Sequence, residues 1–130
     1  MKVNATTTYG LLAVGYIARN QDKGLVISQN IAKHYNIDLE YLFKTMQQLV
    51  RANLLRSKRG PRGGFSLAKS PSKITMLDII EAVEGPLTSD LVLSDHAPRD
   101  KFAARAEKSS ESAFKQARNA LKAVKLSDLL

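Results

Sequence analysis

The sequence predicts a mainly α-helical fold with one small β-hairpin, an α+β arrangement in which a compact N-terminal domain carries a long C-terminal helix. Three observations predict it. Apolar residues recur at helical spacing in several separate stretches. A Gly/Pro-rich turn separates two short strand-like runs between Leu54 and Ala68. The last helical stretch is too long to bury its alanine-rich stripe on a domain this small. At 130 residues the chain can form one core plus a protruding element, but not two independent domains.

The first helix rests on Leu11, Leu12, Val14, Ile17 and Ala18, with the threonines at 6 to 8 as candidate caps and an end near Asn20. Asn20 to Gly24 reads as a loop. Leu25-Val26-Ile27 is a short β-branched run leading to Ser28, the expected N-cap of a short second helix from Gln29 to Tyr35. Asn36-Ile37-Asp38 supplies a turn, and Asp38 should cap a third helix whose apolar face holds Leu39, Leu42, Phe43, Met46, Leu49 and Val50. Its opposite face carries Glu40, Lys44, Gln47, Gln48 and Arg51. Two helices joined by so short a turn suggest a helix-turn-helix.

Residues Leu54 to Arg59 and Phe65 to Ala68 flank Gly60-Pro61-Arg62-Gly63-Gly64, which reads as a hairpin bearing Arg56, Lys58, Arg59 and Arg62. Such a charge density on a tip stiffened by Gly and Pro suits an anionic groove. A nucleotide-binding phosphate loop does not fit, because no Gly-Lys-Ser/Thr follows and no helix opens after Gly64. Thr75 to Glu84 reads as a helix with Thr75 and Asp78 in a capping-box arrangement, Leu77, Ile80 and Val83 facing inward, and Gly85-Pro86 as its stop. Residues 87 to 100 are irregular. From about Arg99 to Val124 the pattern is one long helix, with a break allowed near Ser109-Ser110 and a stripe of Phe102, Ala106, Ala113, Phe114, Ala117, Leu121 and Val124.

The net charge of +8 is unevenly placed. Residues 1–75 hold 12 Lys/Arg against 3 Asp/Glu, and residues 76–130 hold 8 against 9, so the positive field belongs to the first segment. A nucleic acid is the expected partner. Membrane headgroups would call for basic residues flanking bulky apolar ones on an amphipathic helix, which is not the pattern here. The chain has no cysteine, excluding disulfides, thiolate metal sites, cysteine-ligated iron-sulfur clusters and thiol catalysis. With two distant histidines, His34 and His96, and no dense carboxylate cluster, an enzyme is not expected. No signal peptide or apolar run of membrane-spanning length is found, so a cytoplasmic location is expected.

The chain resembles the Rrf2 family of bacterial regulators, which includes iron-sulfur-cluster assembly, nitric-oxide-sensing and cysteine-metabolism repressors. The resemblance spans nearly the whole chain. It rests on Ile37-Asp38-Leu39-Glu40-Tyr41-Leu42, on Arg59-Gly60-Pro61-Arg62-Gly63-Gly64-Phe65, on the run from Ile74 to Gly85, and on Leu126-Ser127-Asp128-Leu129-Leu130. It implies a winged helix-turn-helix DNA-binding domain over residues 1–85, a sensor-type loop over 86–98, and a dimerisation helix with its tail over 99–130. It further implies a homodimer on a palindromic operator in double-stranded DNA, acting as a repressor, with each third helix in the major groove and each wing in the adjacent minor groove.

Carried over by position, the DNA-facing residues are Ser28 and Gln29, then Glu40, Phe43, Lys44 and Gln48, then Arg59 and Arg62 of the wing. Phe43 lies at the edge of the apolar stripe, where many relatives place a polar residue, and both core packing and contact with a thymine methyl remain open for it. Arg62 stands where a glycine is common and adds a cation for the DNA backbone. The implied dimer interface is Phe102, Phe114, Ala117, Leu121 and Val124.

Between Gly85 and Ser112, cluster-binding relatives carry three cysteines and this chain carries none, so no cofactor and no metal are expected. His96 beside Asp95 reads as a surface residue rather than a ligand. The signal sensed, whether a small molecule, a protein effector or concentration alone, stays open. A second reading, in which the basic wing grips an acidic protein or RNA, also stands at this point.

Overall fold

A computed structural model describes residues 5–130. Helix α1 spans Ala5–Asn20, α2 Ser28–Tyr35 and α3 Leu39–Arg51. Strands β1 (Leu55–Lys58) and β2 (Gly64–Leu67) follow, then α4 (Met76–Glu84), the long α5 (Lys101–Lys122) and a short α6 (Leu126–Leu129). The expected mainly helical fold with a two-stranded antiparallel hairpin is what forms. Strand register runs from Leu55 opposite Leu67 to Lys58 opposite Gly64.

Helix α1 is the hub, packing on α3, α4 and β2. Its buried Ala13, Val14 and Ile17 meet Leu42, Met46 and Leu49 of α3 and Leu55 and Phe65 of the hairpin in one core. Gly10 permits the close α1–α4 approach: a Cβ there would lie 3.1 Å from Val83 Cγ2. Val26 pairs with Phe65 as a third, one-residue rung beside β2, with Val26 N–H donating to the Phe65 carbonyl (2.9 Å) and Phe65 N–H to that of Val26 (2.7 Å).

Several sequence expectations are corrected. Thr6, Thr7 and Thr8 lie inside α1 rather than capping it; Thr7 is buried and its hydroxyl donates to the Glu84 carboxylate of α4. Ser28 is the first residue of α2, whose cap is Ile27, because pairing of Val26 with Phe65 keeps the chain extended up to that point. Leu39 is exposed rather than inward-facing, because it opens α3; of the two placements left open for Phe43, the structure gives the exposed one, on the side turned to the wing. Helix α5 runs unbroken through Ser109 and Ser110, and Ser110 hydrogen-bonds Ser89 of the preceding loop. Its ends are tighter than expected, with Asp100 as N-cap.

Other caps form as the sequence predicts. Asp38 accepts the Tyr41 N–H (2.9 Å), and Thr75 and Asp78 form a reciprocal capping box at 3.0 and 2.9 Å. The tail returns to the domain: Met76 N–H donates to the Val124 carbonyl and Leu126 N–H to that of Ile74, both at 2.8 Å, with Leu126 buried.

Candidate nucleic-acid interface

The candidate interface is built where α2, α3 and the hairpin converge. The turn between α2 and α3 is possible because Asn36 adopts a left-handed conformation (φ 53°), a backbone state that asparagine tolerates better than most residues. The wing turn depends on two glycines. Gly60 has φ 106°, and a Cβ on Gly63 would fall 2.1 Å from the Lys58 carbonyl oxygen. Arg59 and Arg62 are thereby held on an exposed turn closed by the Gly63 N–H to the Gly60 carbonyl at 2.9 Å.

A hollow of about 400 Å³ lies between α3 and the wing, lined by Phe43, Gln47, Ser57, Lys58, Arg59, Gly60, Gly64 and Phe65. An adjoining hollow adds Ile27, Ser28, Gln29 and Pro61. Ser28, Gln29, Phe43 and Arg59 are thus gathered around one groove. Gln29 is exposed, whereas Ser28 is buried with its hydroxyl 3.4 Å from Gln29 Oε1. Lys44 and Gln48 border a different depression, shared with Thr6, Tyr41, Thr45 and Arg51 on the side of α1. There the Tyr41 hydroxyl is 2.6 Å from Thr6 Oγ1, and its ring meets Tyr9 edge-on at 5.5 Å. Glu40 and Arg62 are exposed and line neither hollow.

Gln47, Lys58, Ile27 and Tyr41 join these surfaces without having been singled out from the sequence as site residues. Gln47 and Lys58 carried a usable signal, as polar positions on the α3 face and the charged hairpin. Ile27 and Tyr41 carried none, since only tertiary packing brings them in.

Three polar residues of the loop between α4 and α5, Ser89, Ser94 and Asp100, are tied to α5. Glu107 accepts the Ser94 N–H and, at 3.0 Å, its hydroxyl. The Ser94 N–H, helped by that hydroxyl and by the Leu93 backbone, holds the Glu107 carboxyl below its ordinary pKa against the opposing effect of burial. Asp100 is spent on the Phe102 and Ala103 amides at 2.8 and 3.3 Å. Among the described residues no group of three or more His, Asp or Glu could hold a metal, and no helix is long and apolar enough to cross a membrane.

Residues 3–130 match the model of a protein family, Rrf2, described as iron-dependent transcriptional regulators. The chain belongs to the Rrf2 family. It is 49% identical over 76 residues to an Aquifex aeolicus protein named an HTH-type transcriptional regulator, a match covering 58% of this chain and 52% of that protein. It is 35% identical over 98 residues to the regulator CymR of Bacillus subtilis, covering 75% and 71%. In structure it resembles B. subtilis CymR, titled the global cysteine regulator, with TM-score 0.83 at 29% identity over 99% of this chain and 95% of that one. IscR of T. potens gives TM-score 0.73 at 28% identity, covering 99% and 85%. The chain spans about half the length of the first two curated relatives it matches, 52% and 53%. These Rrf2 relatives are named as regulators, not enzymes. The iron of the family's description does not fit the residues present: the sequence has no cysteine, and the described residues offer no clustered donors.

Proposed function

We propose that this Rrf2 chain is a sequence-specific DNA-binding transcriptional regulator, acting in the cytoplasm as a homodimer on a palindromic operator and repressing by occupancy, without an iron-sulfur cluster. The observation that carries the reading is the pair of adjoining hollows between the α2 start, α3 and the wing, where Lys58 and Arg59 line one with Gln47 and Lys58 lines the other with Gln29. Amide side chains can pair with base edges and cations with phosphates. Placement of the chain's positive charge in residues 1–75 supports the same reading.

The dimer is argued from α5. At 22 residues it is about 33 Å long, and Ala103 is its one buried residue. Phe114, Ala117, Leu121 and Val124 are only partly covered, and Phe102 is 76% exposed. A second α5 would cover this stripe, leaving residues 1–85 to bind DNA and 86–98 as the connecting, sensor-type loop. The two α3 helices would then enter successive major grooves about 34–36 Å apart.

Selection of bound sequences from pooled random duplexes at two salt concentrations tests the proposal. A recovered palindrome with half-sites one helical turn apart, bound with a steep salt dependence, is the expected result. Sequence-blind binding would overturn it and favour the basic wing as a grip for another anionic partner.

A further inference from the structure

We propose that Phe43 reads the C5-methyl group of a thymine in the major groove, making it a specificity-determining residue at one base pair of each half-site; the inference rests on the DNA-binding reading above. Its helical neighbours show how unusual its position is. Leu42 and Met46 are fully buried, yet Phe43 is 45% exposed on the side of α3 that it shares with Gln47. The ring does not hang free. Phe65, itself only 5% exposed, meets it at a steep angle (76°) with centroids 6.2 Å apart, so the hairpin's own core residue supports it from beneath.

A large apolar group held in this way stays in contact with water until something apolar covers it. What surrounds it defines the cover. On one side the ring borders the hollow with Gln47, Lys58 and Arg59, and on the other it adjoins Ile27, which is 41% exposed, and Gln29. An apolar spot ringed by amide and cationic donors complements a polyanion that presents an apolar group beside hydrogen-bond acceptors. Among the four bases only thymine offers that combination in the major groove, its methyl lying next to the O4 acceptor. Cytosine puts an amino donor there and no methyl.

The test begins with the operator enriched from random duplexes. Each thymine in it is replaced singly by 2′-deoxyuridine, which removes the methyl and keeps the pairing. One thymine per half-site should prove methyl-sensitive, its replacement weakening binding about four-fold. In Phe43→Ala the ratio of thymine to deoxyuridine affinity should fall to about one at that position. In Phe43→Leu, which retains an apolar group, it should stay above one. Thermal unfolding of both variants establishes that they are folded. An enriched operator with no methyl-sensitive thymine would overturn the Phe43 assignment alone, as would sensitivity that survives in Phe43→Ala. Failure to enrich any sequence would overturn the operator-binding reading and this assignment with it.

Discussion

The guanidinium of Arg118 on α5 pairs with the carboxylate of Glu81 on α4, and the same Glu81 oxygen accepts the Leu87 N–H at 2.7 Å, so one carboxylate fastens the long helix, the winged domain and the start of the connecting loop. The side chains are 38% and 25% exposed, so solvent screening limits the pair's contribution. Arg118→Ala should cost about 0.5–1 kcal/mol, seen as a fall of a few degrees in Tm. An unchanged Tm would mean that the junction is held by packing alone.

The proposed role of the wing in DNA binding is measurable through Arg59. It is exposed at the turn and borders the hollow beside α3, where it can neutralise phosphate or enter the minor groove. Arg59→Ala should weaken operator binding and reduce the salt slope by about one per half-site. Affinity equal to wild type at all salt concentrations would remove the wing from the interface.

Leu121 is half-buried on the α5 stripe of the isolated chain. Leu121→Glu should convert the protein to a monomer in sedimentation experiments and lower operator affinity, since each half-site would then be bound independently. A variant that still sediments as a dimer would place the interface elsewhere.

Gly10 tests the α1–α4 contact. Alanine would bring its Cβ to 3.1 Å from Val83 Cγ2, a crowding partly offset by better helix propensity. Gly10→Val adds two more methyl groups to the same space and should destabilise by about 1–3 kcal/mol in urea denaturation. A stability equal to wild type would mean that α4 can shift away freely.

The clasp between Ser94 and Glu107 has a definite pH dependence. A carboxylate with a lowered pKa contributes stability that is fully present above the ordinary glutamate pKa and is lost as pH falls through the lowered one. The Ser94 amide resonance should therefore be constant at neutral pH and titrate only below the ordinary glutamate range. Titration at or above that range would show that the hydrogen bonds do not hold in solution, and Glu107→Gln should abolish the titration.

Local chemistry made much of this fold readable. The Asp38 cap, the Thr75–Asp78 box and the glycine turn of the wing each depend on residues within a few positions of one another. What the sequence could not show depends on distant partners. Thr7 looks like a cap until Glu84, 77 residues away, is found to accept its hydroxyl. Ser28 loses the cap position because Phe65 extends the chain before it. Helical periodicity put Phe43 at the edge of the apolar stripe and left its placement open, and only the packed hairpin, with Phe65 against one side of the ring, decides it. The same limit applies to the interface. The wing groove collects Gln29, Phe43 and Arg59, but Lys44 and Gln48 belong to a depression completed by Thr6 of α1, a grouping set by helix packing.

The return of the tail to the domain has a mechanical consequence. Helix α5 is fastened along its length at Ser94–Glu107, Ser89–Ser110 and Glu81–Arg118, and just beyond its end by the Val124–Met76 and Leu126–Ile74 hydrogen bonds. It is a strut braced at several points rather than an arm on a hinge. In a dimer held by two such struts, a few degrees of change in their crossing angle would swing the two recognition helices through a corresponding arc, with little slack to absorb it. The distance between the two reading heads, and hence the fit to DNA, would be governed by the angle at which two helices cross.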